Sequence, residues 1–342
     1  MSRVATPVHL VVSEPGSFLG KKSERLVVRR DSQTVAEVPF HDLEQVTVDS
    51  GGVSISTDAI RECVERGIHI NLLTSAGQPY AHIASPVLTG TVVTRREQLL
   101  AYLDERGLEL SKLLVGGKIA NQASLLKHYT RRRKHADAEA YLRLTEALGK
   151  LDELRARAAE VKGACIDEAR EDLMALEAQA ARVYWEQVRA ILPAGLGFEA
   201  RHHRGASDPV NSLLNYGYGI LYSRTWGALL LAGLDPFAGY LHADRPGKPS
   251  LVLDFVEEFR QQVVDRAVMA LLVRGFEPVM EDGRLSVETR RELARRVLER
   301  LEAEDRYEGK KHRLRTIMQM QARHLATFLR REGPYRPYVG SW

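Results

Sequence analysis

The chain reads as an α+β protein: a small β-rich N-terminal domain over residues 1–90, then a larger all-α C-terminal domain over residues 91–342. Three observations predict this. Short apolar runs broken by turn residues fill the N-terminal quarter. After Thr91 strand signals give way to helical periodicity. The length of 342 residues, with 44% hydrophobic and 27% charged residues, suffices for two cores of ordinary globular composition.

Taken in order, Val8, Leu10 and Val12 alternate with other residues and meet a turn at Pro15-Gly16. Leu26–Val28, Val35, Val38 and Val46–Val48 form further short runs, separated by Asp31-Ser32, Pro39 and Ser50-Gly51-Gly52. A helix interrupts them, with Thr57 as its cap, Ile60, Cys63 and Val64 as its stripe and Gly67 as its end. Ile68–Leu73 and Ala81–Ile83 return as strands. His9, His41, His69 and His82 are scattered and read as structural.

Beyond Thr91, Glu97–Leu103 and Leu110–Tyr129 are amphipathic, and Glu139–Glu186 suits one or two long helices. Asp208-Pro209 is a strong helix start, with Asp as N-cap and Pro in the first turn. Gly217 and Gly219 inside that helix each cost about 1 kcal/mol against alanine, which implies close approach by a neighbour or ligand. Val263–Val273, Ser286–Leu301 and Leu314–Phe328 continue the helical pattern, and Gly333–Trp342 reads as an extended, mobile tail.

The net charge of +4 and pI near 9.0 permit a nucleic-acid partner without requiring one. The only two cysteines, Cys63 and Cys165, lie in different segments without metal-ligand spacing, which argues against a disulfide framework or a zinc cluster and fits a reducing compartment. With no signal-peptide pattern and no apolar run of membrane-spanning length, the expected location is the cytoplasm. A Gly-rich phosphate loop and a nucleophile elbow are both missing, which argues against nucleotide hydrolases and α/β-hydrolases.

The stretch Leu241–Arg260 carries the chemistry. His242 opens a loop that Pro246, Gly247 and Pro249 keep irregular, and Ser250 is a plausible N-cap for the helix that follows. On that helix Val252, Phe255, Val256, Phe259 and Val263 share one side, and Asp254, Glu257, Glu258 and Gln261 share the other. Carboxylates at such spacing repel unless a cation lies between them. Asp/Glu oxygens with one imidazole suit Mg2+ or Mn2+. A solvated acidic face is the plainer reading of the same pattern. Arg245 and Lys248 in the loop set a basic surface beside the acidic one, a pairing that phosphodiester chemistry uses. Arg201 and Arg204 precede the Asp208-Pro209 helix start, a good place to hold a phosphate. Arg131–Lys134 is a basic run that fits either a solvated helix end or phosphate contact, and Glu177 has no special standing by pattern alone.

The blocks Arg204–Tyr222, with Asp208-Pro209-Val210-Asn211 and Tyr216-Gly217-Tyr218, and Leu241-His242 followed by Leu251–Arg260, resemble the CRISPR-associated integrase family. These are the spacer-acquisition enzymes also described as CRISPR-associated endonucleases. The likeness runs nearly the whole chain and extends to Ser13–Gly16, Lys21-Lys22 and Val53–Thr57. It implies a β-rich dimerisation domain and a helical catalytic domain with one Mg2+ or Mn2+ site. Carried over by motif, the ligands are Glu177, His242 and Glu257, with Asp254 a supporting acidic position. Ala178 departs from the glycine that many members have there, and Glu186 is a rival for Glu177. The implied activity is metal-dependent DNA cleavage and integration. The 3′-hydroxyls of a short double-stranded fragment would attack phosphodiesters at the borders of a CRISPR repeat, with Arg201, Arg204, Arg245 and Lys248 on backbone phosphates. The implied partners are DNA, a second copy of the chain in a homodimer, and a second small adaptation protein of ferredoxin-like fold that bridges dimers; no membrane is involved. Two other readings are a repair nuclease that does not join strands and a DNA-binding scaffold without a metal.

Overall fold

The computed structural model describes residues 8–74, 77, 79–85, 92–133, 137–202 and 208–341. Its first part is strand-rich: β1 (Val8–Val12), β2 (Phe18–Lys22), β3 (Arg25–Arg30), β4 (Gln33–Pro39), β5 (Leu43–Val48), β6 (Ser54–Ile55), β7 (His69–Leu73) and β8 (Pro79–Ile83), with one helix, α1 (Thr57–Glu65). Among the described residues these strands build two four-stranded sheets, ordered β1-β5-β7-β8 and β4-β3-β2-β6. Val12, Leu19, Leu26, Val28, Phe40, Val46 and Ile70 fill the space between them, joined by Ala59 and Cys63 of α1. That is the burial the alternating runs call for. Ser56, not Thr57, caps α1: its hydroxyl accepts from the Ala59 N–H at 3.2 Å. Gly67, at φ +71°, turns the chain out of the helix as expected.

From Val92 onward the chain is mainly helical: α2 (Val92–Leu100), α3 (Glu105–Arg133), α4 (Ala138–Glu160), α5 (Ile166–Ile191), α6 (Pro209–Leu231), α7 (Ser250–Val256), α8 (Arg266–Val273), α9 (Val287–Glu302) and α10 (Leu314–Leu329). Two short antiparallel ribbons add to the all-helical expectation here: β9 (Met280–Glu281) with β10 (Arg284–Leu285), and β11 (Glu304–Tyr307) with β12 (Lys310–Arg313). The long Glu139–Glu186 stretch divides between α4 and α5, which pack with α3. Asp208 caps α6 by accepting from the Asn211 N–H at 2.8 Å, and Pro209 takes the first helical position. The glycines of α6 do admit neighbours. A Cβ on Gly219 would collide with the Gly77 carbonyl, and one on Gly217 would come 2.6 Å from a Val264 methyl.

The tail departs from expectation. Pro334 and Pro337 read as punctuation of a mobile segment, yet the segment threads between α3 and the helix after His242. Tyr335 and Tyr338 are buried, the Gly340 N–H donates to Asn121 Oδ1 at 2.9 Å, and Ser124 donates to the Gly340 carbonyl at 2.7 Å. Two phenols that find partners inside the core outweigh the extended backbone that the prolines impose.

Candidate active site

Helix α7 begins at Ser250, but Ser250 does not cap it. Its hydroxyl donates toward Asp244 Oδ1 at 2.7 Å and accepts from the Gly239 N–H at 2.9 Å, tying the preceding loop to the helix start. The helix is apolar on one side as predicted. The side expected to be a wet acidic face is buried as well: Asp254 and Glu258 are 0% exposed, Gln261 2% and Glu257 5%. A solvated face is therefore excluded. Each of these groups needs a partner in the interior.

Asp254 finds backbone. Its Oδ2 accepts from the Tyr240 and Leu241 N–H groups at 2.6 and 3.0 Å, and its Oδ1 from the His242 N–H at 2.9 Å. Oδ1 also lies 2.7 Å from His242 Nδ1. One carboxylate thus folds the loop and orients the imidazole. With Nδ1 carrying the proton to Asp254, Nε2 presents a lone pair.

Glu257 finds cations. Arg260, one turn on, meets its Oε1 at 2.8 Å, and Lys118 of α3 lies 2.6 Å from its Oε2. The same ammonium donates to Oε1 of Glu177 on α5. Glu177 and Glu257, far apart in sequence, therefore share a single side chain. Burial alone would raise the pKa of Glu257, but Arg260, Lys118 and His242 overcome it and hold the carboxyl well below its ordinary range. Lys118 answers in kind: burial would lower its pKa, and Glu257 and Glu177 raise it. Glu186 lies nine residues beyond Glu177, on the opposite side of α5, and is exposed. Glu258 turns from the site altogether, to Tyr335 and the Tyr338 backbone. The structure thus brings Glu177, Glu257, His242 and Asp254 into one region and leaves Glu186 and Glu258 out of it.

Lys118 was invisible to sequence reasoning. It is one lysine on a long helix, and no local pattern marks it. Among the described residues no three His, Cys, Asp or Glu side chains stand in ion-ligating geometry, and the Lys118 ammonium contacts both glutamates. The donor set still suits a hard dication: two carboxylates, an imidazole with a free lone pair, and a buried Glu257 Oε2 that has the charge of Lys118 beside it but no well-aligned hydrogen bond.

The cations expected to meet phosphate divide. Arg201 engages its guanidinium internally, with Asn211 Oδ1 at 2.9 Å, Asn215 Oδ1 at 2.6 Å and the Tyr218 ring 5.3 Å away. It braces the loop before α6, which favours a structural role over phosphate contact; Asn211 and Asn215 likewise serve this brace. Arg245 is exposed and Lys248 half-buried. Both line a groove of about 900 Å³ walled by Tyr80, His82, Tyr218, Trp226 and Phe237, and Arg260 lines it too. The groove therefore opens beside the Glu257 cluster. Arg204 and Lys134 lie outside the described residues, as do the side chains of Arg131–Arg133. Among the described residues no helix is long and apolar enough to cross a membrane.

A strand-rich part followed by a helical part, with an acidic and imidazole cluster beside a cationic aromatic groove, defines a class of α+β proteins with a polar interior site. The family described as CRISPR associated protein Cas1 matches residues 10–299. A CRISPR-associated endonuclease Cas1 from Archaeoglobus fulgidus is 36% identical over 98% of this chain and 100% of its own length. Another, from Francisella tularensis subsp. novicida, is 32% identical over 98% of this chain and 99% of its own. In fold, the chain matches a casposase bound to integration product with TM-score 0.81 at 22% identity, covering 96% of this chain and 92% of that one. A Cas1 protein from Thermotoga maritima matches with TM-score 0.77 at 19% identity, over 96% and 98%. The chain belongs to the Cas1 family of CRISPR-associated endonucleases.

Proposed function

We propose that this chain is a divalent-cation-dependent integrase that joins the 3′-hydroxyl ends of short DNA fragments to phosphodiesters at the borders of a CRISPR repeat. One observation carries the reading: the Lys118 ammonium joins Glu177 of α5 to Glu257 at the end of α7, and Arg260, which pairs with Glu257, lines the groove that also holds Arg245 and Lys248. Family membership and the fold shared with a casposase bound to integration product support it.

Glu177, Glu257 and Nε2 of His242 would hold Mg2+ or Mn2+. The cation would supply Lewis-acid stabilisation of the charge that develops on the phosphoryl oxygens. Asp254 keeps the imidazole in one tautomer and one orientation. Arg245 and Lys248 hold backbone phosphates without reading sequence, and the groove aromatics offer stacking faces to bases near the reacting end. With water in place of the 3′-hydroxyl the same residues would cleave DNA. The protein is proposed to act in the cytoplasm as a homodimer through its strand-rich part, residues 1–90, with residues 91–342 as the catalytic domain. A small partner of ferredoxin-like fold would bridge dimers. A solved assembly described as a Cas6-RT-Cas1–Cas2 complex, which this chain matches at TM-score 0.78 over 97% of its length and 36% of that chain, is in keeping with a Cas partner.

The test is an integration assay with supercoiled target and a short duplex bearing 3′-hydroxyls. Joined product is expected from the native chain, and its loss from His242→Ala and Glu257→Ala. Cleavage without joining would point to a repair nuclease. Full activity in both variants would leave only a DNA-binding scaffold.

A further inference from the structure

Lys118 has no part in the proposed ligand set, yet its ammonium bridges the two glutamates of that set. Its side chain is 9% exposed and Glu257's 7%, so the contact is an interior one. The cluster of Glu177, Glu257, Lys118 and Arg260 balances two negative charges with two positive ones. A dication entering with Lys118 in place would meet no net negative charge there and would find both glutamates already engaged. The root of Lys118 is fixed. Asn121, one turn along α3, donates to the Glu258 and Tyr338 carbonyls at 3.0 and 2.8 Å, and a Cβ on Gly117 would come 2.5 Å from Pro337. The stem beyond that root is four flexible carbons, so the ammonium can leave without moving the helix.

We propose that Lys118 is a tethered counter-cation that fills the carboxylate pair of the cation-free site and must be displaced before a divalent cation loads. The inference rests on the reading of Glu177, His242 and Glu257 as cation ligands. Lys118 bridges the two carboxylates while the site waits, and its displacement sets the affinity for the metal. Binding of the ammonium and of the dication are mutually exclusive, so weakening one strengthens the other.

The experiment is a Mn2+ titration of the full-length chain, read by the electron paramagnetic resonance of free Mn2+, with thermal melts in chelator alongside. Lys118→Gln should bind Mn2+ about tenfold more tightly or better than the native chain, and melt lower without metal. Lys118→Arg, whose planar fork grips carboxylates harder, should fold normally and bind Mn2+ more weakly. Unchanged or weaker binding by a folded Lys118→Gln protein, or tighter binding by Lys118→Arg, overturns the proposal. Glu257→Gln separates it from the reading beneath it. Lost binding in Glu257→Gln with unchanged binding in Lys118→Gln removes only the role of Lys118. Equal Mn2+ affinity in the native chain, Glu257→Gln and Lys118→Gln removes the cation site itself, and this inference with it.

Discussion

Glu257 and Glu258 are adjacent in sequence and almost equally buried, at 5% and 0% exposure, but their surroundings drive them to opposite protonation states. Glu257 faces Arg260, Lys118 and His242, which overcome its burial and keep it ionised. Among the described residues no cation pairs with Glu258. Burial pushes its pKa up to about 8, and hydrogen bonds from the Tyr335 hydroxyl at 2.5 Å and the Tyr338 N–H at 2.7 Å, with one from Gln321, offset this only in part. At neutral pH one is a carboxylate and the other a carboxylic acid. Burial alone therefore does not mark a reactive carboxylate; the sign of the charge around it does.

Paired amide substitutions are the strongest way to break this comparison. Glu257→Gln removes the charge that binds Lys118, Arg260 and the proposed cation. The rate of DNA joining should fall on the order of 10³-fold, the scale of losing a charge-stabilising group. Glu258→Gln replaces a protonated acid by its near-isostere: the amide can accept from the Tyr338 N–H and donate to the Tyr335 oxygen. Its joining rate and melting temperature should stay close to native. A Glu258→Gln protein as impaired as Glu257→Gln would show that the charge assignment is reversed or irrelevant.

Asp254 sharpens the comparison at a smaller scale. It is as buried as Glu258, but its oxygens accept from backbone N–H groups and lie against His242, with no lysine or arginine bonded to it among the described residues. Asp254→Asn turns an amide NH2 toward donors that need an acceptor. A stability loss of about 2 kcal/mol is expected from urea unfolding. A fall of about 10–100-fold in Mn2+ affinity should accompany it, because the imidazole is no longer held. Lost stability with native Mn2+ affinity would reduce Asp254 to a clasp for the loop.

The parts of the site legible in the sequence were those encoded locally. His242, Asp254 and Glu257 lie within one loop and the helix after it, where i,i+3 spacing puts the carboxylates on one face. Glu177 needed family resemblance, and the geometry favours it over Glu186 because half a helical turn separates their directions. Lys118 was illegible: its meaning comes from the packing of α3 against α5 and α7, which no window of sequence contains. The internal contacts of Arg201 were illegible for the same reason, since Asn215 and Tyr218, which engage it, lie fourteen and more residues away on α6. In the fold, the strand-rich and helical parts followed from periodicity. The tail did not, because its backbone signals said mobile while two tyrosines found buried partners across the chain.

The His69 and His82 pair carries the lesson to imidazoles in the strand-rich part, and here the expected effect is smallest. His82 stands opposite Asn71 in the β7–β8 pairing. Its Nδ1 lies 2.7 Å from Asn71 Oδ1, and its Nε2 lies 3.0 Å from His69 Nδ1. Trp226 of α6 packs 6.0 Å from its ring. Burial first, and then the charge of His69, lower the pKa of His82 from 6.5 to about 4. His69 is lowered as well, by burial and then by Arg224, with Glu44 opposing. A histidine with a folded-state pKa below its unfolded value binds protons less readily when folded. Its stabilising contribution is thus complete above about pH 6.5 and is lost as pH falls towards about 4. Thermal melts of the native chain between about pH 7 and about pH 4.5 should show this loss on top of the general acid destabilisation. His82→Gln cannot titrate, so its melting temperature should fall less steeply over the same range, whatever its value at neutral pH. Parallel slopes would mean that His82 does not stay neutral in the fold, and that the interior of the strand-rich part, unlike the Glu257 cluster, has no say in the charge of its histidines.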